Sequence, residues 1–386
     1  MSTKDKAVGL LLSLIMIFSV SAAVTIRDLP DELTVSGNEN DSLSTLLPVS
    51  VEFREDDGGE AQARLFGMVN VKKMGVRRDR PGKVMLAGTL FGLKLYSDGV
   101  MVVGLSDFDA DGKSVNPARE AGISRGDVIH KVGGKQVRTN AEFAEAVVHS
   151  RGSLSIELTD SKGETKKVSV TPVYSDEDGC MKTGMWVRDS AAGIGTLTYI
   201  DPVSGEFGGL GHGICDSDTH DLVPISDGEI VSAQMTDVRR GVRGYAGEIR
   251  GILGDATLGT IRSNTVCGAF GTYTAGIPRL REYETAVRQE VKPGRAKILC
   301  SVEEKPEFYD ITIDKINYTG DPAKNMMITV TDEKLLKITG GIIQGMSGSP
   351  IVQNGKFVGA VTHVFVNNPA CGYAIFAENM LDLQKK

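Results

Sequence analysis

The sequence is short of several things at once. Aromatic residues make up 6% of its 386, with a single tryptophan, and there are only five histidines from which any imidazole chemistry must be drawn. The five cysteines (180, 215, 267, 300 and 371) are odd in number, widely spaced and free of any C-x-x-C pair, so neither a disulfide framework nor a zinc ribbon fits. They read as scattered small core residues. Internal repeats and low-complexity tracts are lacking, and helical periodicity is scarce outside the last dozen residues, which argues against a helical bundle. Basic charge is also in deficit: 43 Lys and Arg face 50 Asp and Glu, leaving a net charge of −7 and none of the basic excess that a nucleic-acid partner requires.

What the chain does have is glycine, 46 of them, which together with few aromatics implies many turns and short strands. A hydrophobic share of 41% and a charged share of 24% are those of a globular protein, and the length predicts about two domains plus extras.

Lys4 and Lys6 precede an uncharged run over 7–24 that Arg27 and Asp28 close. As a helix this run rises about 27 Å, close to a hydrocarbon core. The flanking lysines place the N-terminus in the cytoplasm and export everything after it. Val20-Ser21-Ala22 also fits a signal-peptidase site, so anchor and cleaved signal both stay open. Residues 28–62 are polar and acidic, with Glu55-Asp56-Asp57-Gly58-Gly59, and read as a linker off the membrane that ends near a basic stretch, 72–80, closed by Pro81. The expected divisions are 1–24 signal or transmembrane segment, 25–82 linker and N-terminal extension, 83–173 a compact module and 174–386 a second domain.

In the 83–173 module, strand-like Leu90-Phe91-Gly92-Leu93-Lys94-Leu95 and Val100-Met101-Val102-Val103 precede a one-turn helix at Pro117 that Gly122 stops. A hairpin turns at Gly133-Gly134, a capping box (Thr139, Glu142) opens a helix with Phe143 and Val147 on one face, and two strands close the module. This order resembles a PDZ domain of the bacterial protease-associated kind, carried by Pro117-Ala118, Ala121-Gly122-Ile123 and Gly126-Asp127-Val128-Ile129. The resemblance implies that Phe91, Gly92, Leu93, Lys94 and Leu95 bind a peptide's terminal carboxylate, the peptide adding as a strand beside the Thr139 helix. Asp107-Phe108-Asp109-Ala110-Asp111-Gly112 copies half of an EF-hand loop, but position twelve is Ala118, so a strand connection is the better reading and no metal or other cofactor is expected.

From 184 onward the runs are strand-sized and separated by glycine, which suits a pair of β-barrels. Gly345-Met346-Ser347-Gly348-Ser349-Pro350 matches the Gly-x-Ser-Gly-x-Pro pattern of trypsin-like proteases. The glycines allow a tight turn in which the N–H groups of Gly345 and Ser347 converge on one oxyanion. A hairpin at Asn354-Gly355 follows, and by the same analogy Thr362, His363 and Val364 line the substrate cleft. Serine needs a base. His212, in Gly208-Gly209-Leu210-Gly211-His212-Gly213, is the best placed; His130 and His149 belong to the module, His220 follows an acidic turn, and His363 alternates in a strand. Ser349 is a rival nucleophile, Asp216 and Glu333 are rival orienters, and His212-x-x-Cys215 has no second ligand cluster to make it a metal site. Gly268–Gly276 reads as a mobile loop or a surface turn.

Spacing does not choose the orienting carboxylate, but a family resemblance does. Trp186-Val-Arg-Asp-Ser-Ala-Ala-Gly-Ile-Gly-Thr-Leu-Thr198, Gly211-His212-Gly213-Ile214, Gly340 through Pro350 and Val361-Thr362-His363-Val364-Phe365-Val366-Asn367 resemble the SpoIVB sporulation peptidases over essentially the whole chain. The resemblance implies Ser347, His212 and Asp332 as the triad, with Asp332 only fifteen residues before the serine. The fold expected is therefore mostly β: an N-terminal transmembrane or signal helix, a PDZ-like α+β module and a trypsin-like serine peptidase domain. The function expected is an exported, membrane-associated serine endopeptidase. By resemblance it cleaves itself and a membrane regulator of an intramembrane protease, in the space between forespore and mother-cell membranes. A non-catalytic, membrane-anchored peptide-binding scaffold and a general quality-control protease are the rival readings.

Overall fold

The computed structural model describes residues 3–35, 40–54, 59–78, 82–216, 218–223 and 225–384; the acidic run at 55–58 and the Pro81 end of the basic stretch lie outside them. The helix Thr3–Arg27 contains, within Asp5–Arg27, an 18-residue stretch of mean hydropathy 2.5 and leaves Leu10, Leu11, Leu12 and Ile17 exposed, so by length and composition it is able to cross a membrane.

Residues 28–77 differ from the linker expected of them. They form a five-stranded sheet in the order Glu32–Thr34, Val69–Arg77, Glu60–Leu65, Val49–Arg54, Asn40–Leu43. The polar composition hides a period of two, in which Val49 and Val51, then Ala61, Ala63 and Leu65, point to one face and join the core of the C-terminal half.

Six strands then form a ring. Lys83–Leu105 pairs with Met185–Ile200, which pairs with Glu206–Gly209, then Gly268–Tyr273, Glu248–Thr265 and Ile225–Arg239, and the last returns to Lys83–Leu105. A second ring is the closed barrel Gly294–Cys300, Glu307–Ile316, Met326–Val330, Cys371–Phe376, Lys356–Val364, Pro350–Gln353. Numbered in chain order, both rings run one-two-three-six-five-four. Tyr199 and Phe270 of the first barrel pack with Phe357 and Ile375 of the second in one buried cluster.

Two expectations are corrected by these pairings. Gly268–Tyr273 is a buried barrel strand rather than a loop. Phe91, Gly92, Leu93, Lys94 and Leu95 are not a carboxylate-binding loop, because both of their edges are paired: Leu93, for example, faces Gly193 on one side and Ile230 on the other. Their N–H groups are spent on the ladder, and Phe91, Leu93 and Leu95 fill the first barrel.

Residues 106–184 are inserted between the first two strands of that barrel. They contain the short helix Pro117–Glu120, the strands Val128–Val132, Leu154–Thr159 and Thr165–Val170, and the helix Asn140–Val148. The Thr139 capping box forms as the sequence predicts. Phe108–Ala110 and Lys113–Val115 make a hairpin where the EF-hand-like string lies. Val100, Ile129, Phe143, Val147 and Ile156 form the core, with Met185 and Val187 against it. The strand beside the helix is thus Met185–Ile200, and Asp189 takes a hydrogen bond from the Asn140 N–H at 2.8 Å.

The N-terminal sheet is clamped by a buried carboxylate. Glu378, 1% exposed at the start of the C-terminal helix Ala377–Gln384, pairs with Arg77 at 2.6 Å and Arg288 at 3.0 Å and accepts from Thr34 Oγ1. Burial raises its pKa, but Arg288, Thr34 and the Arg288 N–H outweigh that and hold it below the ordinary glutamate value of 4.5. The Glu378 contribution to stability is therefore complete above pH 4.5 and drains away as the pH falls through the lower folded value. Glu378→Gln should cost about 3–5 kcal/mol in denaturant unfolding at neutral pH, and its stability should fall less steeply than the wild type's as the solution is acidified below 4.5.

Candidate active site

The turn holding Ser347 is built from outside. Met326–Val330 leads to the short helix Glu333–Thr339, which ends at Gly340 in a left-handed conformation (φ 76°). The chain then loops back to Pro350–Gln353. Thr196, on the second strand of the first barrel, donates its N–H to the Ser347 carbonyl at 3.0 Å and its Oγ1 to the Gly345 carbonyl at 2.8 Å. Thr198 Oγ1 reaches the Gly348 carbonyl at 2.7 Å. Gly348 sits at φ 94°, where a Cβ would stand 2.2 Å from the Thr196 carbonyl oxygen, so this turn accepts no side chain there.

The same geometry aims the N–H groups. The Gln344 carbonyl accepts from Ile249 N–H at 2.8 Å and the Met346 carbonyl from Ser349 N–H at 2.9 Å. Across a trans peptide the N–H points opposite to the carbonyl, so the N–H groups of Gly345 and Ser347 face away from those partners. Neither has an acceptor among the described residues.

His212 follows the third strand of the first barrel. Gly211 (φ 71°) lets this segment lie against the second barrel, since a Cβ there would come within 3.1 Å of Thr362. Asn264 anchors the next residues, accepting from Ile214 N–H at 2.8 Å and donating to the carbonyls of Ile214 at 2.8 Å and Val223 at 3.0 Å. His212 Nδ1 meets the Gly213 carbonyl at 2.8 Å, which requires the proton on Nδ1 and leaves the lone pair on Nε2.

Ser347, His212, Gly345, Thr362, His363 and Val364 line one cavity of about 420 Å³. Ser347 Oγ donates to the Thr362 carbonyl at 2.9 Å, and the rings of His212 and His363 stand 5.1 Å apart. Burial holds His212 below the ordinary histidine value against the opposing pull of the Gly213 carbonyl. His363 is pushed down to about 4 by burial, with His212 and Lys324 adding to the effect and Asp321 opposing it. Both imidazoles are neutral at neutral pH.

Asp332 is not in this cavity. It is the N-cap of the helix Glu333–Thr339, accepting from the N–H groups of Leu335 at 3.0 Å and Asp310 at 3.2 Å. Burial raises its pKa, but those backbone donors, with Lys297, bring it below the ordinary aspartate value. Asp216 is buried in an ion pair with Arg188, Glu333 lies in the first turn of the capped helix, and Ser349 is fully buried.

A neighbouring cavity of about 360 Å³ shares Leu93, Gly193, Ile214 and Cys215 with the first and runs on toward Arg188 and Asp216. Four consecutive residues, Ser190, Ala191, Ala192 and Gly193, line it. Side chains alternate along a strand, so such a run lines a groove with its backbone edge. That edge is open, because the partner on this side of Met185–Ile200 begins only at Leu197.

Sequence reasoning missed Thr196, Thr198 and Asn264. The signal was available in Gly195-Thr196-Leu197-Thr198-Tyr199, where a strand fully buried on both faces carries two hydroxyls that need partners.

A serine in a tight turn and an imidazole with a free Nε2 line one cavity, with two N–H groups on the serine turn that have no acceptor among the described residues, and these are the residue types that a serine hydrolase uses. The family model described as SpoIVB peptidase S55 matches residues 179–381, more than half of the chain. The chain belongs to this family of membrane-associated serine peptidases of the sporulation checkpoint. No curated protein matches it detectably. Among solved structures it is similar to the PDZ domain of an SdrC-like protein from Listeria monocytogenes, at 18% identity over 23% of this chain and 87% of that one, with a TM-score of 0.19. A likeness that slight carries no argument about the fold.

Two outcomes follow for residues that hold the site. Thr196→Val keeps the shape but orphans the Gly345 carbonyl, and should cost about 1–3 kcal/mol in unfolding together with slower fluorophosphonate labelling of Ser347. Asp332→Asn keeps a capping side chain and should unfold with the wild type, whereas Asp332→Ala should lose about 1 kcal/mol.

Proposed function

We propose that this chain is an exported serine endopeptidase built as a trypsin-like double barrel with a PDZ-like insert. Ser347 is its nucleophile, His212 its base, and the N–H groups of Gly345 and Ser347 its oxyanion donors. The observation that carries this reading is the shared cavity of Ser347 and His212, contributed by different barrels. In the resting arrangement the serine hydroxyl is bonded to the Thr362 carbonyl. Turning it toward His212 breaks one hydrogen bond, a cost of about 1 kcal/mol. Ser347 Oγ then attacks the scissile carbonyl while its proton passes to Nε2 of His212. The same proton goes to the departing amine, and water activated by the imidazole releases the acyl group.

Substrate lies extended between two strand edges, Thr362–His363–Val364 on the second barrel and Ser190–Gly193 on the first. Asp332 holds the helix that delivers the nucleophile turn. Its place at the helix N-terminus supports this positioning role over the imidazole-orienting role that family resemblance implies. Asp332→Asn should therefore keep labelling within about tenfold of wild type, while a loss of about 10⁴ would return the residue to the triad. The family resemblance further supports self-cleavage, export into the space between the forespore membranes, and a substrate that restrains an intramembrane protease.

The test is self-cleavage by mass spectrometry, with fluorophosphonate labelling beside it, for the wild type and for Ser347→Ala, Ser349→Ala and His212→Ala. Ser347→Ala should abolish both, His212→Ala should lower both by about 10⁴ or more, and Ser349→Ala, if folded, should retain labelling at Ser347. A folded wild type that neither labels nor cleaves would favour the peptide-binding scaffold.

A further inference from the structure

Peptide hydrolysis uses one imidazole of this cavity, and there are two. The rings of His212 and His363 have centres 5.1 Å apart and planes inclined at 39°. His212 has its Nδ1 proton engaged by the Gly213 carbonyl, so Nε2 carries a lone pair. Neither ring nitrogen of His363 has a hydrogen-bond partner among the described residues, and His363 lines the cavity. A zinc ion bonded about 2.0–2.1 Å from a ring nitrogen lies about 3.2 Å from the ring centre, so two imidazoles on one tetrahedral ion have centres about 5.2 Å apart. The observed separation is compatible with two imidazoles each giving one nitrogen to the same ion.

We propose that His212 and His363 form a regulatory site for a zinc-class divalent ion, whose binding closes the active site by taking the lone pair of the base. Imidazole donors select zinc, copper or nickel over magnesium and calcium. No carboxylate lines the cavity. No cluster of three or more His, Cys, Asp or Glu suited to a metal is gathered among the described residues, so the protein supplies two ligands and water completes the shell. Such a site is reversible, unlike a four-ligand structural zinc. The backbone carbonyl behind His212 gives it the outer-shell support that metal-binding histidines use. Binding stands on the geometry alone; inhibition rests on the peptidase reading.

Two measurements on the full chain test this. Calorimetric titration of Ser347→Ala, chosen so that the chain stays intact, should show one zinc bound per chain and no response to magnesium. Adding His363→Gln or His212→Gln should weaken zinc binding at least about tenfold, and His149→Gln, on the exposed end of the insert helix, should not. Unchanged zinc binding in the His363→Gln chain would overturn the site. In the chain that keeps Ser347, zinc should slow fluorophosphonate labelling and a chelator should restore it, whereas His363→Gln should label at its own metal-free rate whether zinc is present or not. Labelling of the wild type that ignores bound zinc would overturn the regulatory role. Absence of labelling with and without zinc would count against the peptidase reading, and calorimetry alone would then uphold or reject the metal site.

Discussion

Three carbonyls of the turn that carries Ser347, those of Gly345, Ser347 and Gly348, are held by Thr196 and Thr198, neighbours on one strand of the opposite barrel. These bonds fix the backbone on either side of Ser347, whereas the carbonyls that oppose the Gly345 and Ser347 N–H groups, those of Gln344 and Met346, are held by the N–H groups of Ile249 and Ser349. The threonines are fully buried, so their hydroxyls have no water to fall back on and the bonds are obligatory. The turn that carries Ser347 is thus part of the barrel–barrel interface. Neither barrel alone makes the turn, and the first barrel brings the imidazole to it on the very next strand.

The inserted module is wired into that construction by continuous chain. Lys83–Leu105 passes from the first barrel into the insert, and Met185–Ile200 comes back, with Met185 and Val187 in the insert core and Gly193 at the cavity only a few residues later. The insert core and the cavity that Ser347 lines thus share one continuous strand. One edge of that strand, at 190–193, has no strand partner among the described residues.

The N-terminal sheet is fastened at the far end by Glu378. A carboxylate this buried is tolerable only because two guanidinium groups and a hydroxyl surround it. The clamp joins a strand that follows the membrane-competent helix to the last helix of the chain, so the anchor end and the C-terminus of the catalytic half are one unit.

Much of this was legible in order along the chain. The serine turn, the glycine-framed histidine, the apolar N-terminal run and the hairpin after the serine are local patterns, and local patterns survive without knowledge of the fold. The reading failed where a residue's role is set by its partner. Phe91, Leu93 and Leu95 have the composition of a recognition loop, yet strands from either side occupy both of their edges. The acidic stretch before 78 looked like a linker because its alternation is diluted by charge, and only the core of the second barrel gives those strands a face to bury. Asp332, fifteen residues before Ser347, caps a helix, a placement that sequence spacing did not show. By itself the sequence determined which side chains are the candidates for the chemistry, because reactivity belongs to residue type and its immediate neighbours. Only the tertiary structure decided which of them meet, because strand pairing and the packing of two barrels bring together residues more than a hundred positions apart.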